Sequence, residues 1–145
     1  MNELIFLKLG GSLITDKTGV EQVRPDVLAR LAAEIGAVWQ NWPALSLSKG
    51  RIPLVLGHGS GSFGHVAGAR YGTRQGVANA EQWLGFAQVS AAAARLNRLL
   101  VEALLEANVP ALTVQPSASA RCRDGTIIHL AGHTVENALA AGLLP

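Results

Sequence analysis

Lys8-Leu9-Gly10-Gly11-Ser12, with Lys17 close behind, and Gly57-His58-Gly59-Ser60-Gly61-Ser62-Phe63-Gly64-His65 are the two stretches whose reading decides the fold. Each follows a short apolar run, residues 4–9 and 52–56. A continuous apolar run closed by glycines is the pattern of a strand buried on both faces of a parallel sheet. Glycine lets backbone N–H groups come close to an anion and converge on it, and lysine and histidine add charge and hydrogen bonds that a backbone lacks. Two such turns in one chain point to phosphate chemistry far more strongly than one.

Working outward, the first strand needs a crossover helix. Arg24-Pro25-Asp26 puts proline and an acid at a first helical turn, and Val27, Leu28, Leu31, Ile35 and Val38 recur at helical spacing, which predicts a helix ending near Trp39. Residues 41–51, with Pro43, Ser46, Ser48 and Gly50, read as a surface connection. Residues 66–71 read as a short helix after the second turn, which places His65 at a helix N-terminus, where the backbone favours anions. Asn79-Ala80-Glu81-Gln82 resembles a capping box opening a helix that runs to about Ala107. Residues 111–115 read as a third strand. Arg121-Cys122-Arg123 and Thr126-Ile127-Ile128 around Asp124-Gly125 read as a hairpin, and residues 134–141 as a last helix. Leu143-Leu144-Pro145 looks like the approach to one more strand.

The composition sets bounds. A chain of 145 residues, 49% hydrophobic and 15% charged, is the size of one domain with one core. A net charge of +2 without a basic stripe argues against nucleic-acid binding. The lone Cys122 forms no internal disulfide, and no Cys and His set has structural-zinc spacing; a reducing cytoplasm is expected. No apolar stretch is long enough to span a bilayer, and the N-terminal run is too short for a signal peptide.

Gly59-Ser60-Gly61-Ser62-Phe63-Gly64 also fits the dinucleotide fingerprint G-x-G-x-x-G, so an oxidoreductase module is a rival reading. It lacks the acid expected at the end of the next strand and leaves residues 8–17 unexplained. The P-loop pattern and the protein-kinase H-R-D and D-F-G elements are absent. Taken alone, Lys8 is a strand lysine whose head reaches the surface, Lys17 sits in the solvated polar run Thr15-Asp16-Lys17-Thr18, and His58 holds its loop. His129 and His133 do not make a metal site. Trp83, Phe86 and Leu96 read first as core, with an apolar substrate pocket as a lesser role for the two aromatics.

Residues 8–17 taken with His58-Gly59-Ser60-Gly61-Ser62-Phe63-Gly64-His65 resemble the isopentenyl phosphate kinases of the amino acid kinase superfamily. Lys-x-Gly-Gly-Ser alone indicates the superfamily; Ile14-Thr15-Asp16-Lys17 and Gly61-Ser62-Phe63-Gly64-His65 make the likeness specific. Pro110, Gln115-Pro116-Ser117 and Asp124-Gly125-Thr126-Ile127 extend it over nearly the whole chain. The resemblance implies a three-layer α/β/α sandwich with a mainly parallel sheet. It also implies transfer of the γ-phosphoryl of ATP, with magnesium on the nucleotide, to isopentenyl phosphate.

By the same resemblance Lys8 and Gly10-Gly11-Ser12 hold the ATP phosphates, and Ser60 borders them. Lys17 neutralises the phosphoryl group in flight. Gly59, Gly61 and Gly64 meet the acceptor phosphate, His65 hydrogen-bonds it, and the whole enzyme is a homodimer. A phosphate monoester, with a second pKa of about 6, needs no general base, which suits a site without a catalytic carboxylate. A kinase for a carboxylate, carbamate or phosphonate acceptor remains open.

Two departures stand out. Ser60 replaces a glycine common in relatives, and residues 44–50 look like a surface insertion. The family's nucleotide-binding half is expected to follow Pro145. This chain is therefore expected to be the N-terminal, acceptor-binding half, binding phosphate weakly and turning over slowly or not at all.

Overall fold

A computed structural model describes residues 4–45, 52–73 and 76–145. Two parallel strands, β1 (Ile5–Leu9) and β2 (Leu54–His58), pair in the register Ile5 with Leu54 through Leu9 with His58. Strand side chains alternate between faces, so Ile5, Leu7, Leu9, Leu54, Leu56 and His58 share one face, and Phe6 and Lys8 share the other with Val55 and Gly57. Helices α2 (Pro25–Leu45) and α4 (Ala80–Glu106) cover the first face. There Leu9 and Leu54 join Leu28, Ala32 and Trp39 of α2 and Ala92, Leu96, Leu100 and Leu104 of α4 in one buried cluster.

The expectation of a first strand buried on both faces is corrected. Only Leu9 of β1 is buried, and Phe6, on the face away from α2 and α4, is 65% exposed. Continuous apolarity reported the parallel pairing correctly but not which faces are covered.

Helix α2 starts as the sequence predicts, with Pro25 first and Asp26 in the first turn, then continues past Trp39 and through Pro43. Residues 41–45 are thus helical rather than connecting, and residues 46–51 of the expected connection lie outside the described residues. Helix α4 opens on its cap: Asn79 Oδ1 accepts from the Gln82 amide at 2.9 Å, and Gln82 Oε1 accepts from the Ala78 amide at 2.8 Å. It closes at Ala107, with Asn108 left-handed at φ 58° and the Val109 amide returning to the Leu104 carbonyl.

A one-turn helix α1 (Gly11–Ile14) follows β1, and α3 (Gly61–Tyr71) follows β2, starting five residues earlier than the sequence suggests. The expected third strand reduces to one parallel bridge between Ala111 and Leu144. The Leu56 amide donates to the Pro145 carbonyl and the Leu112 amide to the Leu144 carbonyl, so residues 144–145 lie between β2 and the 110–112 segment. The hairpin β3 (Arg121–Arg123) and β4 (Thr126–His129) forms as predicted, with Asp124 and Gly125 both at positive φ, as a type I′ turn requires. Helix α5 (His133–Ala140) follows.

Trp83 and Phe86 are not core residues: they are 55% and 42% exposed and meet edge to face at 5.8 Å, whereas Leu96 is fully buried. Leu96→Ala is therefore expected to cost about 2–5 kcal/mol in urea unfolding. Trp83→Ala should cost less than about 1 kcal/mol beyond the loss of its pair with Phe86. Equal losses would place Trp83 back in the core.

Candidate anion site

The two glycine turns meet backbone to backbone. The Gly59 amide donates to the Leu9 carbonyl at 2.9 Å. A methyl group on Gly59 would lie 2.8 Å from the Gly11 nitrogen, and one on Gly11 would run into the Gly61 backbone. Gly61 has φ +49°, and a side chain there would collide with Thr15 and the Gly11 carbonyl. Only glycine permits this approach.

Thr15, 1% exposed, locks the contact. Its hydroxyl donates to the Gly11 carbonyl at 2.7 Å and accepts from the Ser62 amide at 3.0 Å. The sequence placed Thr15 in a solvated run, a misreading: it is the buried bolt between the turns. The buried Ser62 hydroxyl then reaches the Gln22 backbone at 3.3 Å, tying α3 to the loop that carries Lys17. Neither role has a local sequence signal, since each depends on partners 40 or more residues away.

With the turns joined, the amides of Gly11 and Ser12 at the start of α1, and of Ser60 and Gly61 at the start of α3, have no acceptor among the described residues. Unsatisfied N–H groups at two adjoining helix starts suit an anion. The amides of Gly59 and Gly64, by contrast, have partners within the chain. Gly59 N–H is taken by Leu9, and Gly64 N–H by the Ser60 carbonyl at 3.3 Å. Gly64 instead leaves room for the Ser60 side chain, which a methyl group would strike.

His65 lies one turn inside α3, not at its N-terminus. Its Nδ1 is 2.6 Å from the Gly61 carbonyl, an oxygen that only accepts, so Nδ1 carries a proton. Lys8 is exposed, across from Gly57 in the register and on the face away from α4. Lys17 lines a polar depression of about 360 Å³ with Ser12, Thr15, Asp16 and Arg24. Lys8 and His65 do not line that depression. Arg24 is a cation that the sequence reading treated only as a helix start.

The Lys17 loop is held from several sides. The Thr15–Val23 bridge closes its base. Asp16 Oδ1 accepts from the Thr18 amide at 2.8 Å and hydroxyl at 2.7 Å, and these bonds, the backbone one foremost, hold its carboxyl below the ordinary aspartate range. Glu21, left-handed at φ 51°, receives a two-pronged guanidinium contact from Arg95 of α4. That hydrogen bonding lowers the Glu21 pKa and raises that of Arg95.

A second cavity, about 390 Å³, opens beside the second turn. Phe86, Val89, Ala93 and Ala94 of α4 form much of its wall with Val114 and Pro116, and His58 joins it to the turn through Nδ1, 3.2 Å from the Gly59 carbonyl. Phe86 therefore lines an apolar pocket, the lesser role the sequence gave it, while Trp83 is not among the lining residues.

Comparison with known proteins agrees with this architecture. The model of the amino acid kinase family matches residues 3–145. The isopentenyl phosphate kinase of Methanothermobacter thermautotrophicus is 34% identical over an alignment covering 98% of this chain and 51% of the relative. That of Methanocaldococcus jannaschii is 34% identical over 79% of this chain and 44% of the relative. A solved isopentenyl phosphate kinase structure superposes with a TM-score of 0.83 at 34% identity, covering 99% of this chain and 56% of that one. A T. acidophilum isopentenyl phosphate kinase product complex, at 22% identity and TM-score 0.79, shares the fold. The chain spans about half the length of the curated relatives it matches.

Two outcomes follow from the geometry. Gly61→Ala, which adds a side chain at positive φ against Thr15, should destabilise the protein by about 2–5 kcal/mol in denaturant unfolding. A loss below about 0.5 kcal/mol would show that the turns are not in contact. Because the folded Asp16 pKa is depressed, its bonds to Thr18 are intact above the unfolded value and are lost as pH falls through the folded one. The Thr18 amide resonance should therefore titrate with a midpoint below that of an ordinary aspartate; an ordinary midpoint would mean that the Asp16–Thr18 bonds do not persist.

Proposed function

Because the chain belongs to the amino acid kinase family, we propose that it is the acceptor-binding half of an ATP-dependent kinase that converts isopentenyl phosphate to isopentenyl diphosphate. The observation that carries this reading is the apposition of the two glycine turns, with the amides of Gly11, Ser12, Ser60 and Gly61 left without an acceptor among the described residues. The likeness to isopentenyl phosphate kinases, at 34% identity over nearly the whole chain, supports the activity.

The cavity supports the acceptor. Its wall is apolar over Phe86, Val89, Ala93, Ala94, Val114 and Pro116, and among the described residues no lysine or arginine lines it. A second carboxylate, as on an amino acid acceptor, would meet no cation among these residues. A short hydrocarbon tail is accommodated. His58 joins the cavity to the Gly59 carbonyl, so a tail held there brings its phosphate to the second turn.

The roles follow. The Gly10-Gly11-Ser12 turn and Lys8 hold the nucleotide phosphates. The Ser60 and Gly61 amides hold the acceptor phosphate in place of the Gly59 and Gly64 amides, which are already bonded, and His65, as the imidazolium with both ring nitrogens protonated, donates to it from Nε2. Lys17, with Arg24 in the same depression, neutralises charge that develops between the two phosphates. The open amides and these cations fit a polyphosphate. Bound magnesium would add charge neutralisation on the nucleotide oxygens. The chain's own residues align and neutralise, and the dianionic acceptor oxygen needs no base. A reducing cytoplasm suits Cys122, a free and exposed thiol. A homodimer is the assembly this reading expects.

Calorimetric titration of the chain with isopentenyl phosphate, acetylglutamate, aspartate, fosfomycin and NADH tests the proposal. Saturable binding of isopentenyl phosphate alone is expected, weakened at least about tenfold by Phe86→Asp, which puts a charge into the apolar wall. Preference for acetylglutamate or aspartate, or saturable binding of NADH, would overturn it. In a coupled assay of the ATP-dependent reaction, Lys17→Met should lower turnover about 10²–10³-fold while acceptor affinity changes little. A loss of affinity with turnover intact would remove Lys17 from the transferring phosphoryl group.

A further inference from the structure

One polar chain runs from the second glycine turn into the cavity wall and has had no part in the roles above beyond its first member. His58 Nδ1 lies 3.2 Å from the Gly59 carbonyl oxygen, His58 Nε2 lies 3.1 Å from Asn97 Nδ2, and the Thr113 hydroxyl donates to Asn97 Oδ1 at 2.7 Å. The direction of every bond follows from one fixed point. A carbonyl oxygen only accepts, so the ring proton sits on Nδ1. Nε2 of the neutral ring is then an acceptor and must face the NH₂ of Asn97. That leaves Asn97 Oδ1 to accept from Thr113, which is what is observed.

In a planar trans peptide the carbonyl and the following N–H point in opposite directions. By holding the Gly59 carbonyl, His58 turns the Ser60 amide away from the ring, and that amide is one of those without an internal acceptor. The other tautomer would set the bare Nδ1 lone pair against the Gly59 oxygen and release the peptide.

We propose that Asn97, backed by Thr113, is a positioning residue for the anion site: it selects the Nδ1–H tautomer of His58, and His58 in turn sets the direction of the Ser60 amide. The relay stands on the hydrogen bonds; its consequence for phosphate binding rests on the function proposed above.

The test uses long-range proton–nitrogen correlation spectra of His58 and the Ser60 amide resonance in the unliganded chain. In the wild type, in mildly alkaline buffer, the proton is expected on Nδ1. Asn97→Asp is isosteric but only accepts, so Nε2 should gain a proton and the Ser60 amide should shift. Asn97→Leu should give a mixture of tautomers. Thr113→Val, at a solvent-facing site, should weaken the preference in the same direction and keeps the test decisive if either Asn97 variant fails to fold. An Nε2–H tautomer in the wild type, or variants that leave His58 and Ser60 unmoved, would overturn the proposal.

Titration with inorganic phosphate as the probe supplies the last arm. Asn97→Asp should raise Kd roughly three- to tenfold. An altered tautomer with unchanged Kd would overturn the positioning role. A wild-type chain that binds no phosphate would sink the proposed function instead, and the spectra alone would then decide the relay.

Discussion

The site depends on a contact between two pieces of main chain that no side chain could make. Gly11 lies against Gly59 and Gly61 so closely that a single methyl group at any of the three would part the turns. Thr15 and Ser62 exist in this arrangement to hold that contact shut from below. The parallel pairing of β1 and β2 brings the two turns to the same end of the sheet, because both strands run the same way and both end where the glycines begin. Phosphate-binding geometry here is therefore a product of strand direction first and of glycine second.

Around this centre the chain divides its labour by depth. The buried layer of α2 and α4 against one sheet face supplies rigidity, with Leu96 and Leu104 among its fully buried residues. The cations are outside it: Lys17 on a loop tied down by Thr15, Gln22 and the Glu21–Arg95 pair, and Lys8 on the opposite face of β1. Exposed groups cost little to keep charged when no ligand is present. The apolar cavity lies on the α4 side, so an acceptor's tail and its phosphate are held by different elements that His58 connects.

Much of this was legible in the residues. The glycine turns and apolar runs indicated parallel strands, Asn79 and Gln82 marked the start of the longest helix, and Asp124-Gly125 marked the hairpin. Each is local chemistry, where a few neighbouring residues settle the conformation. What could not be read depends on distant partners. Thr15 looked solvated because its partner Ser62 is 47 residues away, and the Gly59 and Gly64 amides looked available because the carbonyls that take them are set by the folded turn. Phe6 and Trp83 looked buried because apolarity does not say whether another element will cover a face. Asn97 was one of several polar residues along α4 and carried no indication of His58 as its partner.

The central claim is that the two turns form one anion site. Following the Gly11, Ser12, Ser60 and Gly61 amide resonances of the chain during an isopentenyl phosphate titration tests it most directly. Acceptor phosphate held by Ser60 and Gly61 must also move Gly11 and Ser12, whose turn packs against theirs, so all four should follow a single isotherm with one dissociation constant. Movement of one turn without the other, or two clearly different constants, would contradict it.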